Sequence, residues 1–218
     1  MKFVKYLALA MMALSLGSCL NNDDDEKGYT VTFSDFLAVG ADATTVMTDD
    51  DDVLQVSNPS SLKFSDGTIP NRVIANFSME YDQAGKLKSN YIEIKGAQRC
   101  YIVPCVSKED VEEEKEFKLS RPKSMSMTKK YLNLYVEGYF GSNVSETDFH
   151  LYVDRVDGAN VFLTHTCKPG GSDYGSKALS YLIHPELEKY RSQIVPASGK
   201  ISLIINNDQE TLITYEWK

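Results

Sequence analysis

The chain has 218 residues, enough for one large or two small domains, and its 42% apolar and 25% charged residues are typical of a globular protein. Wholesale disorder and collagen-like repeats are therefore excluded. The formal net charge is -8. This charge argues against nucleic acid as a partner, because binding to phosphates depends on Lys and Arg side chains that displace counterions.

Residues 1–18 predict a signal peptide. Lys2 and Lys5 precede an uncharged apolar run, YLALAMMALSL, at residues 6–16. This run is too short to cross a bilayer as a helix, which takes about 20 residues. We therefore expect any membrane attachment to be made at the start of the mature chain.

The four residues that end this segment resemble a lipobox, the motif at which bacterial lipoprotein signal peptidase cleaves: Leu16, Gly17, Ser18 and Cys19. The resemblance implies that Cys19 becomes the first residue and carries acyl chains, which anchor a protein stably in a membrane. The alternative is an ordinary secreted protein in which Cys19 is incidental.

Residues 19–28 predict a solvated tether, because Asp23 to Glu26 are four consecutive acidic residues that repel one another. An acidic cluster just after the lipidated Cys also resembles the surface-export signal of lipoproteins in anaerobic gut and oral Gram-negative bacteria. We therefore expect an outer-membrane lipoprotein exposed at the cell surface. The alternative is a spacer on the periplasmic leaflet.

Residues 29–106 predict a small β-barrel. Apolar residues alternate with polar ones over 72–81, which places Arg72 on the polar face, and alternation returns over 89–95 after a turn. Further strands are predicted at 29–39, 53–56 and 101–106.

Residues 107–128 are predicted as a charged linker, because periodicity stops there and Pro122 interrupts the segment, although 110–119 could form a short helix. From residue 129 to residue 218, six or so short strands predict an antiparallel β-sandwich. One helix is predicted at 185–194, and Gly170 to Gly175 are interpreted as a hairpin tip. The expected fold is thus all-β, an OB-like barrel followed by a sandwich.

Three segments together with the lipobox resemble the NigD-like lipoproteins: residues 71–96 (NRVIANFSMEYDQAGKLKSNYIEIKG), 129–141 (KKYLNLYVEGYFG) and 149–154 (FHLYVD). The resemblance covers most of the chain and is sharper before residue 106. It implies an OB-like barrel before a C-terminal sandwich and a tie to bacteriocin-producing loci. It supplies no catalytic residues.

The mature chain keeps three cysteines, Cys100, Cys105 and Cys167. If residues 101–105 are extended, Cys100 and Cys105 lie about 16 Å apart and cannot bond, because a disulfide needs Cα atoms within about 7 Å. Buried free thiols are expected, and a bridge from Cys167 to either of the others is the alternative.

No metal or cofactor is expected. His150, His165 and Cys167 are metal ligands of suitable type, but their spacing matches no zinc motif. The carboxylates of Asp49 to Asp52 could attract Ca²⁺, but Leu54 stands where an EF-hand loop needs Gly. A solvated turn is therefore expected at 49–52.

The sequence contains no nucleophile elbow, zincin helix or P-loop, so we expect no enzyme. A hydrolase would need two carboxylates that converge only in the fold.

Four tyrosines alternate with the apolar residues of the predicted strands and are expected to face outwards as binding residues: Tyr91, Tyr131, Tyr135 and Tyr152. We expect a non-catalytic, lipid-anchored envelope protein that binds a protein partner, with bacteriocin-associated protection as a specific version. A surface glycan-binding lipoprotein is the alternative.

Overall fold

A computed structural model describes residues 28–112, 117–119, 122–140, 144–168, 171, 173–195, 199–206, 208 and 212–216. The predicted signal peptide, the lipobox with Cys19 and most of the tether lie outside these residues. The part described is built almost entirely from β-strands, with a single short α-helix, so the predicted all-β class is confirmed. No helix within it is long and apolar enough to span a bilayer.

Five strands of the first half form a barrel: β1 (Tyr29–Val39), β2 (Thr45–Thr48), β3 (Val53–Val56), β4 (Arg72–Tyr81) and β5 (Tyr91–Pro104). Antiparallel pairings join β3 to β2, β2 to β1, β1 to β4 and β4 to β5. A parallel pairing of β3 with β5 then closes the ring. A five-stranded barrel closed in this way is OB-like, as predicted.

The barrel interior is filled by the residues whose alternation predicted the strands. Val73, Ala75 and Phe77 of β4 are all buried, as are Ile92 and Ile94 of β5. A 3-10 helix between β3 and β4 adds the fully buried Leu62 to the same core. Burial of each large apolar side chain contributes roughly 1.5–3 kcal/mol, so this core stabilises the barrel.

Strand β5 belongs to the barrel and to the second half of the molecule. Phe77 pairs with Ile94 and Asn76 with Gly96, so β5 carries one extra residue at this point. Such a β-bulge bends a strand and increases its twist. Beyond it, Cys100 to Pro104 pair with another strand, β11 (Asp173–Leu182), so β5 connects the two halves through backbone hydrogen bonds.

The second half is a sandwich of two sheets. Sheet 1 runs in the order β5, β11 (Asp173–Leu182), β8 (Leu132–Phe140) and β7 (Ser124–Met127). Sheet 2 has β10 at its centre and consists of β6 (Phe117–Lys118), β9 (Phe149–Asp157), β10 (Asn160–Cys167), β12 (Lys200–Ile205) and β13 (Leu212–Glu216). Leu134 and Leu179 of sheet 1 share one core with Leu151, Leu163 and Leu203 of sheet 2.

The sandwich differs from the predicted antiparallel one in two pairings. β5 runs parallel to β11, and β10 runs parallel to β12. Parallel neighbours need a long crossover connection, and in both cases other strands intervene along the chain. Strand periodicity alone does not reveal such crossovers.

The segments outside the strong strand patterns were predicted less well. The segment 107–128 contains a 3-10 helix, Lys108–Asp110, and strands β6 and β7. The described parts of 110–119 include no α-helix. The predicted helix at 185–194 is present as α1 (His184–Lys189), which ends five residues early. The domain and linker boundaries stay predictions.

A buried polar network joins the barrel to sheet 1. The guanidinium of Arg72, at the start of β4, donates from Nε to Ser180 Oγ at 2.7 Å and from Nη2 to Asp49 Oδ2 at 2.7 Å. The same Nη2 lies 3.2 Å from Asn133 Oδ1, and Asn133 Nδ2 donates to Asp49 Oδ2 at 2.9 Å. The ring of Tyr131 covers the guanidinium, with 4.3 Å between Cζ and the ring centroid.

This network overturns two expectations. Arg72 was placed on the polar, solvent-facing side of its strand, but it is only 1% exposed. The turn at 49–52 was expected to be solvated, but Asp49 is 8% exposed and ion-paired. Both residues lie on the outside of the barrel, where sheet 1 covers them.

Loss of the Arg72 charge should destabilise the whole fold. Arg72→Met leaves the Asp49 carboxylate buried without its cation, which should lower the free energy of unfolding by about 3–5 kcal/mol. Asp49→Asn should also lower the free energy of unfolding. The double variant, Arg72→Met with Asp49→Asn, should lower it by less than the sum of the two single losses. Urea unfolding followed by circular dichroism measures all three values.

The matched control is Arg99→Met. Arg99 pairs with Asp66 at 2.9 Å, but both side chains are well exposed, so its loss should cost less than about 1 kcal/mol. The proposed role of the network would be contradicted if the two arginine variants lost equal free energies of unfolding. Strictly additive effects of Arg72→Met and Asp49→Asn would also contradict it.

Candidate functional site

A cleft of about 390 Å³ opens beside the buried network, between the outside of the barrel and the outer face of sheet 1. Its described lining consists of small, amide, hydroxyl and aliphatic groups with one aromatic ring: Ser34, Ile74, Ala75, Asn76, Gly96, Ala97, Gln98, Ser124 and Tyr135. None of these residues is charged. The volume falls within the range of small-molecule sites, about 300–1,000 Å³.

Two hydrogen bonds hold the sheet 1 wall of the cleft. Tyr135 Oη donates to Ser176 Oγ at 2.8 Å, across the β8–β11 pair. Gln98, which follows the bulge in β5, donates from Nε2 to the Ser176 carbonyl oxygen at 2.8 Å. The half-buried Tyr135 ring is thereby fixed at the side of the cleft.

The outer face of sheet 1 continues from the cleft to a pair of exposed rings. Tyr139 and Tyr174 lie directly opposite each other on β8 and β11, each 63% exposed, and their ring centroids are 5.2 Å apart at nearly right angles. We call this pair the tyrosine platform. Glu137 lies between Tyr135 and Tyr139 along β8, and its Oε2 accepts from Tyr174 Oη and from Lys123 Nζ, both at 3.1 Å. These two bonds lower the pKa of Glu137, so it is ionised at neutral pH.

The four tyrosines predicted as binding residues do not form one site. Tyr135 lines the cleft, whereas Tyr91 is 57% exposed at the start of β5, five residues before the cleft residue Gly96. Tyr131 is half-buried against Arg72 and belongs to the network. Tyr152 is 1% exposed, so the expectation that it faces outwards is wrong.

Tyr91 belongs to a surface on the outside of the barrel that combines exposed apolar side chains with the half-buried Met47 and Gln55. Met47 pairs with Val53, and Gln55 pairs with both Thr45 and Tyr91, so these outward side chains are neighbours across β2, β3 and β5. Val53 is 54% exposed. We call Met47, Val53, Gln55 and Tyr91 the barrel face. OB-like barrels commonly bind ligands on this side, at strands 2 and 3.

The structure gives His165, one of the residues considered as metal ligands, another role. His165 is fully buried in the sandwich core, where Nε2 lies 2.8 Å from Tyr181 Oη, and burial lowers its pKa to about 3. Among the described residues, no three His, Cys, Asp or Glu side chains gather as a metal site requires.

The three described cysteines are free thiols, as expected, with Cys100 and Cys167 buried and Cys105 half-buried. Burial raises the pKa of the Cys100 thiol to about 11, so it is protonated and poorly nucleophilic at neutral pH.

Sequence reasoning missed the tyrosine platform. Tyr139 lies four residues after Tyr135 on the same strand, so the alternation that selected Tyr135 also places Tyr139 on that face. Tyr174 was missed because residues 170–175 were interpreted as a hairpin tip, whereas β11 already begins at Asp173.

Comparison with known proteins shows relatives in structure alone. No protein-family model matches the chain, and no curated protein matches it in sequence. A DUF1344 protein of unknown function from Bacteroides vulgatus is similar with a TM-score of 0.52 and 15% identity, over 85% of this chain and 89% of that one. A NigD-like immunity protein from Bacteroides caccae has a TM-score of 0.45 and 19% identity, over 85% and 92% of the two chains. A predicted lipoprotein from Bacteroides fragilis has a TM-score of 0.47 and 10% identity, over 86% and 98%.

The likeness to the B. vulgatus protein shows that the two proteins share a fold. At 15% identity this likeness concerns the fold alone.

Proposed function

We propose that the protein is a non-catalytic lipoprotein of the cell envelope that binds a basic polypeptide through the barrel face. Cys19 supplies the anchor, the acidic residues after it supply the tether, and the outer membrane is its location. The sequence contains no known motif that supplies a catalytic nucleophile together with its general base. This supports a role in binding.

The observation that carries the proposal is the exposure of Val53 and Tyr91 on neighbouring strands of the barrel. Tyr91 on β5 pairs with Gln55 on β3, two residues after Val53, and both Val53 and Tyr91 are more than half exposed. Contiguous exposed apolar patches mark interaction surfaces, and Tyr and Met are enriched at protein interfaces. The use of this side of the barrel by other OB folds supports the proposal by analogy of fold.

Charge supports a basic partner. The exposed Asp50 of the acidic turn comes three residues before Val53. Glu93, two residues after Tyr91, is paired with Lys95 at 2.7 Å, so the acidic character of this surface comes from the turn. After removal of residues 1–18, which contain Lys2 and Lys5, the chain has 31 acidic residues and two fewer basic ones than the 23 of the full sequence. A positively charged partner is attracted to such a surface, which speeds encounter and favours correct orientation.

The resemblance to NigD-like lipoproteins gives this proposal a specific version. A partner of this kind at the cell surface would be a bacteriocin or a protein made with one. The tether of residues 20–28 could extend about 30 Å, enough to hold the barrel clear of the lipid headgroups.

Replacement of the anchor residue should release the protein from membranes. Cys19→Ala removes the sulfur that carries the acyl chains, so the protein should move from the membrane pellet to the soluble fraction after cell lysis. Cys105→Ala is the matched control and should stay in the pellet. Retention of Cys19→Ala in the membrane fraction would rule out this anchor.

A photoreactive benzoylphenylalanine in place of Val53 should cross-link the partner on intact cells. The same group in place of Val195, a 67% exposed valine of the sandwich half, is the control and should give no such adduct. The adduct should contain a polypeptide with an excess of Lys and Arg. Its yield should fall at least severalfold when Tyr91→Ala is introduced into the same chain. Equal adducts from both positions, or none from position 53, would contradict binding at the barrel face.

A further inference from the structure

The cleft and the tyrosine platform lie on one continuous surface. Tyr135, Glu137 and Tyr139 alternate along β8, so all three side chains are on the outer face of sheet 1. At about 3.4 Å per residue, the two rings are roughly 13 Å apart along the strand. A ligand that spans them must be an extended chain of several units.

The platform offers ring faces that apolar surfaces of a polar ligand can stack upon. Tyr139 and Tyr174 hold each other in an edge-to-face arrangement, so their positions are defined although both are exposed. The face of an aromatic ring carries negative charge density, which attracts the weakly positive C–H groups of a sugar ring. The carboxylate of Glu137 and the ammonium of Lys123 lie beside the rings and can accept from and donate to hydroxyl groups.

The cleft offers hydrogen-bonding groups without charge. Asn76 is exposed on β4, and Ser34 and Ser124 are exposed on the two opposing walls. Amide and hydroxyl groups can both donate and accept, which matches the hydroxyl groups of a sugar. An ionic ligand would find no charge partner among the described residues of this lining.

The backbone of β4, β8 and β11 is not free to pair with a peptide, because each of these strands has neighbours on both sides. β7, which carries Ser124, is the edge strand of sheet 1. A peptide that adds a strand needs such an edge, whereas β4, β8 and β11 offer a face. Recognition at the part of the surface formed by β4, β8 and β11 therefore depends on side chains.

From this arrangement we propose that the cleft and the tyrosine platform form one binding site for an uncharged oligosaccharide. The site lies between the barrel and sheet 1 and shares no residue with the barrel face, so it is independent of the polypeptide proposed to bind there.

Calorimetric titration of residues 20–218 with cellohexaose, xylohexaose, mannohexaose and maltohexaose tests the site. At least one hexasaccharide should bind. The variant with both Tyr139→Ala and Tyr174→Ala should bind that hexasaccharide at least tenfold more weakly. Asn76→Ala should lower the affinity for it severalfold. These residues are exposed, so the variants should keep their circular dichroism spectra.

The matched control is Tyr91→Ala, which removes an exposed tyrosine from the barrel face and should leave the affinity unchanged within twofold. Failure of all four hexasaccharides to bind would overturn the proposal, as would affinity that survives loss of the platform or of Asn76. The proposal would also be overturned if an uncharged octapeptide of Ala, Ser and Asn bound and the hexasaccharides did not. The surface would then be a peptide site.

Discussion

The position of the barrel on the sandwich depends on the hydrogen bonds of one buried guanidinium. Arg72 carries five N–H donors, and its burial costs several kcal/mol unless acceptors replace the lost water. Its acceptors come from the turn after β2, from β8 and from β11, which are far apart in sequence: Asp49, Asn133 and Ser180. Because hydrogen bonds constrain direction as well as distance, displacement of the barrel would break the bonds of the buried guanidinium to Asn133 and Ser180.

This constraint decides which part of the outer face of sheet 1 stays open. The barrel covers Asn133 and Ser180 completely and Tyr135 in part, and it leaves Tyr139 and Tyr174 exposed. The cleft is the transition between the covered and the open part. The barrel face lies on β2, β3 and the start of β5 and shares no residue with the cleft, so the molecule can present two surfaces whose relative position is fixed.

Much of the fold could be predicted from the sequence, because strand alternation is a local property. The alternation over 72–81 predicted a strand and its apolar face correctly, but it assigned Arg72 to solvent. Whether a second sheet covers the outside of a barrel is a tertiary property, and the same contact decides the partial burial of Tyr135. The parallel pairings of β5 with β11 and of β10 with β12 could not be predicted for the same reason. The sequence therefore supplied one residue of the cleft and missed the platform.

Native-state hydrogen exchange tests most directly whether barrel and sandwich form one unit. Val73 lies in the barrel core and Leu179 in the sandwich core, and both side chains are fully buried. If the network and β5 join the two halves, the most protected amides of β4 and of β11 should exchange with the same free energy of opening and the same denaturant dependence. If the β4 amides exchange through an opening of clearly lower free energy while those of β11 stay protected, the two halves are independent and the account is wrong.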